Sequence, residues 1–96
     1  MLPPDAEPYL ERTFAPCQWD EAFALLMDSR IHDGTPASAR LVRCALVASR
    51  GSLERMRTAA DELRYDYQDV ILAAEHVHEG GEWIRIHDFD QPIALP

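Results

Sequence analysis

Two residues, Gly51 and Ser52, separate two stretches of helical hydrophobic period, and that junction constrains the fold more than any other feature of the chain. Upstream, Thr35-Pro36 pairs an N-cap residue with a proline at the first helical position, which predicts a helix running to about Arg50. Gly51 then follows in the left-handed conformation that closes helices. The wheel of this helix is mostly apolar, with Leu41, Val42, Cys44, Ala45, Leu46 and Ala48 covering over half the circumference. Arg40, Arg43 and Arg50 share a narrower strip with Val47, so the helix is expected at the centre of the domain. Downstream, Ser52 caps a helix from Leu53 to about Leu63, with Leu53, Met56, Ala59, Ala60 and Leu63 in one stripe. Arg57 and Asp61 form an i,i+4 pair on its outer face. So short a junction forces the two helices into a tight helical hairpin.

The flanking segments are built around this pair. Residues 1–16 carry Pro3, Pro4, Pro8 and Pro16, which predicts an extended arm anchored by Tyr9, Leu10 and Phe14. A first helix is expected over QWDEAFALLMDSR, with Trp19, Ala22, Phe23, Leu26 and Met27 in a stripe and Arg30 in the last turn. Asp20 and Glu21 fall in its first turn, where the helix dipole favours acids, and Asp33-Gly34 stops it. A fourth helix is expected from Tyr67 to about residue 76, its stripe being Tyr67, Val70, Ile71 and Ala74. Residues 82–89 alternate as a strand does, and Gly80-Gly81 is a hairpin turn signal. The aromatic residues Trp19, Phe23, Tyr65 and Tyr67 are expected in the core.

The fold expected is therefore one all-α domain over residues 1–96. It has an extended arm (1–16), a four-helix core (17–78) and a strand-like C-terminal segment (79–96). The alternative is an α+β domain in which residues 70–78 and 82–89 form a hairpin against three helices.

Composition narrows the function classes. The chain has 96 residues, enough for one core without metal or disulfide. Its longest apolar run, residues 22–27, is far below the roughly 20 residues of a membrane span. The start has no basic n-region and no apolar h-region, which predicts a cytoplasmic protein in a reducing compartment. Cys17 and Cys44 are then expected as buried free thiols, with a disulfide as the minor alternative. Net charge is −8, unevenly placed. Residues 1–29 hold six acids and one Arg, residues 30–64 seven Arg and four acids, and residues 65–96 seven acids and one Arg. A basic middle suggests nucleic-acid contact through Arg40, Arg43, Arg50 and Arg57. The absence of Lys and Asn, with abundant Arg and Ala, fits a GC-rich bacterial coding bias instead. Ion pairing with the acids at the two ends is the favoured explanation for those arginines.

One group of side chains has the makings of a metal site: His76, His78 and His87, beside Glu75 and Glu79. On a helix, His76 and His78 point roughly 160° apart and cannot share an ion. On a strand they share a face. With Gly80-Gly81 as a two-residue turn, His78 opposes Trp83, His76 opposes Arg85, and His87 lies diagonally from His76. No established zinc spacing matches, and solvated residues near a turn are the simpler reading.

The tetrapeptide RIHD occurs at residues 30–33 and again at 85–88, but the flanks and local structure differ, so it marks no repeat. His32-Asp33 and His87-Asp88 resemble the metal-binding His-Asp pair of the HD phosphohydrolases. That resemblance covers two residues, and the further ligands on long helices are missing. No P-loop, Gly-x-Ser-x-Gly or Gly-x-Gly-x-x-Gly motif is present, and Glu79 and Glu82 flank Gly80-Gly81 with repulsion for phosphate. Cys44 is expected in the core. Cys17, just before a helix N-terminus that would lower its pKa, is the candidate nucleophile.

The function expected is a non-catalytic accessory module that acts by protein–protein contact, as a homodimer or with another chain, without a cofactor. Trp83 and Phe89 are the residues expected to face the partner. The alternatives are a metal-binding protein or small metal enzyme using the three histidines, and a nucleic-acid-binding regulator using the four arginines.

Overall fold

In the computed structural model, which describes residues 2–93, the helical hairpin forms as the junction requires. The protein is mostly helical with one small two-stranded antiparallel sheet, closer to the α+β alternative than to a purely helical domain.

The first helix lies where an extended arm was expected: α1 spans Ala6–Thr13. The prolines do not prevent it, because Pro3 and Pro4 precede it and Pro8 sits in its first turn. Backbone N–H groups there have no intrahelical partner to lose. Ala6 and Leu10 of α1 and Phe14 just beyond it are buried, while Tyr9 packs half-buried against the core. A single 3-10 turn, Pro16–Gln18, then leads into α2, Trp19–Met27. The indole Nε1 of Trp19 donates to the carbonyl of Phe14 at 2.9 Å, fixing the corner between α1 and α2.

Helix α2 stops before Arg30, and Met27 is exposed rather than in the stripe. Residues 30–36 form a compact loop closed by a bridge between Arg30 and Pro36. Within it the Asp33 carboxylate accepts from the Thr35 backbone N–H at 2.9 Å. Thr35-Pro36 is the return limb of that loop, and the cap falls to Ser38, whose hydroxyl accepts from the Leu41 N–H. Helix α3 is thus Ala39–Ser49, later than expected because two capping residues compete three positions apart.

The α3–α4 junction is tighter than the sequence suggests, since both Arg50 (φ 50°) and Gly51 (φ 76°) are left-handed. A Cβ on Gly51 would lie 2.2 Å from the Thr13 carbonyl oxygen, so only glycine lets α1 end against the junction. Ser52 caps α4, Leu53–Glu75, by accepting from the Arg55 N–H. The two helices expected here are joined end to end and kinked at Asp66 (φ −151°, ψ 88°). The Asp66 carboxylate accepts from the Gln68 N–H at 3.1 Å and so restarts the helix after the kink. Tyr65, expected inside, lies beside the kink and is exposed.

Strands β1, His76–Glu79, and β2, Glu82–Arg85, follow directly from α4. Gly80 (φ 60°) and Gly81 (φ 81°) make the type I′ turn, whose positive φ at both positions suits glycine. The register is His76 with Arg85, Val77 with Ile84, His78 with Trp83 and Glu79 with Glu82. The C-terminal segment then returns to the helices and buries Phe89 in the single core cluster.

Candidate functional site

The last residue of α4 organises the C-terminal half of the molecule. Glu75 is 0 % exposed although it is a carboxylate, because α4 delivers it beneath the returning chain. Arg40 on α3 grips it from two sides, Nε to Oε2 at 2.9 Å and Nη2 to Oε1 at 2.8 Å. Arg85 of β2 adds Nη2 to Oε1 at 3.0 Å. The Phe89 N–H and the Cys44 thiol donate to Oε2 at 3.4 and 3.5 Å. The backbone carbonyl of Glu75 also accepts two N–H groups, from Ile86 at 2.7 Å and His87 at 3.2 Å.

A second clamp lies beside it. Arg43, itself buried, reaches the Asp5 carboxylate through Nε and Nη2 and donates from Nη1 to the Phe89 carbonyl at 3.0 Å. Asp5 also accepts from the Ile93 N–H at 3.1 Å. The two clamps tie Asp5 before α1, the end of α4 and the segment from Phe89 to Ile93 to α3.

Electrostatics follow from these contacts. Hydrogen bonding and charge from Arg40 outweigh burial and hold the Glu75 carboxyl at a pKa of about 2. Arg43 lowers the carboxyl of Asp5 in the same way. Burial, reinforced by the adjacent Glu75 charge, pushes the Cys44 thiol up to about 12. At neutral pH the centre holds a committed carboxylate and a protonated thiol. Its chemistry is that of a structural clamp, since neither group is poised as base or nucleophile.

The histidines are distributed rather than gathered. His78 packs its ring against Trp83, with centroids 5.0 Å apart, and His87 stacks on Phe89 at 5.2 Å. The paired donation of Ile86 and His87 to one carbonyl is a β-bulge, which turns His87 off the diagonal that a regular ladder would give it. His76 keeps its expected place opposite Arg85, and its buried Nδ1 has no hydrogen-bond partner among the described residues. Among those residues no group of three or more His, Cys, Asp or Glu is placed to hold a metal ion.

Of the four arginines suggested for nucleic acid, Arg40 and Arg43 are engaged in the two clamps, and Arg57 pairs with Glu21 across α2 and α4. Arg50 is exposed at the end of α3. Both cysteines are free, but Cys17 is exposed rather than buried.

The two residues expected to face a partner separate. Phe89 is 5 % exposed and belongs to the core, because the bulge and the Arg43–Phe89 hydrogen bond turn the chain inward there. Trp83 is 55 % exposed, and Ile84 (43 %), Ile86 (50 %) and Val77 (37 %) join it. The hairpin thus exposes large apolar side chains on both faces, Trp83 beside His78 on one and Val77 with Ile84 on the other. Sequence reasoning placed Glu75 beside the histidines but missed its role as a buried, arginine-paired centre. Its signal was an acid closing the apolar run Val70–Ala74, one turn after Ile71 on the buried stripe.

No family model matches the chain, and no curated protein or solved structure matches it either. No described helix is long and apolar enough to cross a membrane.

Proposed function

We propose that the protein is a non-catalytic bacterial cytosolic module that works by protein–protein contact through its C-terminal hairpin. The observation that carries this reading is the exposed set Val77, Trp83 and Ile84 on a sheet that has two strands among the described residues, with Ile86 exposed just beyond it. Two strands alone are marginal in water, and large apolar residues on them favour a covered state. The two free thiols suit a reducing, cytosolic setting.

The partner favoured is a second copy. The type I′ turn makes Glu79–Glu82 a hydrogen-bonded pair, and alternation leaves the backbone groups of Trp83 and Arg85 facing outward from β2. Antiparallel pairing of two β2 strands about Ile84 joins those outward groups to each other. Ile84 then meets its symmetry mate and Trp83 meets Arg85 of the second copy, a cation–π pair with no like charges opposed. Pairing about Arg85 would oppose two arginines.

Sedimentation of the wild type and of Trp83→Ala and Ile84→Ser variants tests the proposal. A concentration-dependent dimer that both substitutions weaken by tenfold or more is expected. A wild type that stays monomeric at high micromolar concentration, or variants that associate unchanged, would remove the hairpin as the contact surface.

A further inference from the structure

The arginines of this chain divide sharply by what they touch. Arg40, Arg43, Arg57 and Arg85 are ion-paired, and Arg30 donates to the Gly34 carbonyl. Among the described residues, the side chains of Arg50, Arg55 and Arg64 form no ion pair or hydrogen bond. Two of these three, Arg50 and Arg55, line the same cleft, a hollow of about 360 Å³ between the end of α3, both ends of α4 and the base of the hairpin. His76 and His87 line it too, and no carboxylate does. In a chain of net charge −8 that absence sets the cleft apart from two others among the described residues, one lined by Glu21, Asp28 and Asp61 and the other by Asp88.

The rest of the lining is apolar. Val47, Val77 and Ile86 supply the larger side chains, and Ala48, Ala73 and Ala74 the remainder. Two further features point the same way. His76, in the cleft wall, has a buried Nδ1 with no hydrogen-bond partner among the described residues. Arg50 occupies a left-handed backbone position that glycine or asparagine would fill at lower cost, so its side chain is kept there against local preference.

We infer that this cleft binds a small organic anion with an apolar body, such as a medium-chain monocarboxylate. Arg50 and Arg55 supply the cationic donors for the carboxylate, and the imidazoles of His76 and His87 supply neighbouring polar groups. Val47, Val77 and Ile86 cover the hydrocarbon part. The volume is in the range of small-molecule sites, and the wall divides between the four residues Arg50, Arg55, His76 and His87 and six apolar ones. The cleft shares Val77 and Ile86 with the exposed hairpin set, but neither Trp83 nor Ile84, the residues at the proposed strand pairing, lines it.

Hexanoate is the probe, followed by amide chemical shifts on the full chain, with acetate and 1-hexanol as controls for charge alone and hydrocarbon alone. Saturable shifts around Arg50, Ile86 and His87 are expected, with both controls at least tenfold weaker. The double variant Arg50→Gly/Arg55→Gln removes the two cations while glycine keeps the left-handed turn, and it should weaken hexanoate at least tenfold with a native amide spectrum. Ile86→Ser, at an exposed position, should weaken hexanoate severalfold and leave acetate unchanged. Shifts that do not saturate would overturn the inference. So would either control binding as well as hexanoate, or the double variant binding like wild type.

Discussion

Arg40 and Glu75, thirty-five residues apart in sequence, meet through two parallel hydrogen bonds of 2.9 and 2.8 Å at the point where α4 gives way to the hairpin. The pair sits at the last residue of the helix. A carboxylate in this position has no water to fall back on, so it is stable only while Arg40, Arg85, Cys44 and the Phe89 amide surround it. Those partners come from α3, β2 and the C-terminal segment, and their positions are thereby fixed relative to α4.

Removing one partner should therefore cost more than an ordinary surface pair. Arg40→Ala leaves a buried charge under-compensated and is expected to destabilise the fold by about 3–5 kcal/mol. Arg57→Ala, which breaks the exposed pair with Glu21, should cost less than about 1 kcal/mol. Urea unfolding of the two variants checks the contrast. Equal losses would show that the Glu75 centre is not the clamp described.

The same centre sets the acid limit of the fold. The folded-state pKa of Glu75, about 2, lies below its ordinary value of 4.5. A depressed carboxyl stabilises the fold above the unfolded pKa and loses that contribution as pH falls through the folded one. Stability is thus expected to hold from pH 7 to about 5 and then decline toward pH 2, with Glu75 accounting for roughly 3 kcal/mol. Asp5, also lowered by its arginine, adds to the decline in the same direction. Unfolding free energy measured against pH in wild type and Glu75→Gln provides the check, since the substitution should flatten the acid limb. An unchanged limb would place the acid sensitivity elsewhere.

What the sequence made legible was local chemistry. Ser52 and Gly51 carry the α3–α4 junction in adjacent residues, and the two-residue Gly80-Gly81 turn sets the pairing of His78 with Trp83 and His76 with Arg85. The N-terminal helix was hidden because Pro8 reads as a breaker, although a first-turn proline has no hydrogen bond to lose. Ser38 and Thr35 are both good caps, and the choice between them rests on the Arg30–Pro36 bridge, a contact outside either helix. Glu75 was invisible as a centre because its ligands lie at positions 40, 44, 85 and 89. Phe89 looked like an exposed aromatic on a strand until the bulge at Ile86–His87 ended the alternation that the reading relied on.

The two thiols should behave as opposites. Cys17 is exposed in the turn before α2, while Cys44 is buried, donates to Glu75 and has its pKa raised to about 12. Reaction requires thiolate and access together, and Cys44 has neither in the folded state. An aromatic disulfide reagent at pH 8 is therefore expected to titrate one thiol promptly and the second only at the rate of unfolding. Adding denaturant should merge the two phases. A Cys17→Ser variant should lose the fast phase and keep the slow one. Prompt modification of Cys44 in that variant would mean that the carboxylate–thiol contact opens readily, and that the Glu75 centre is looser than its hydrogen bonds indicate.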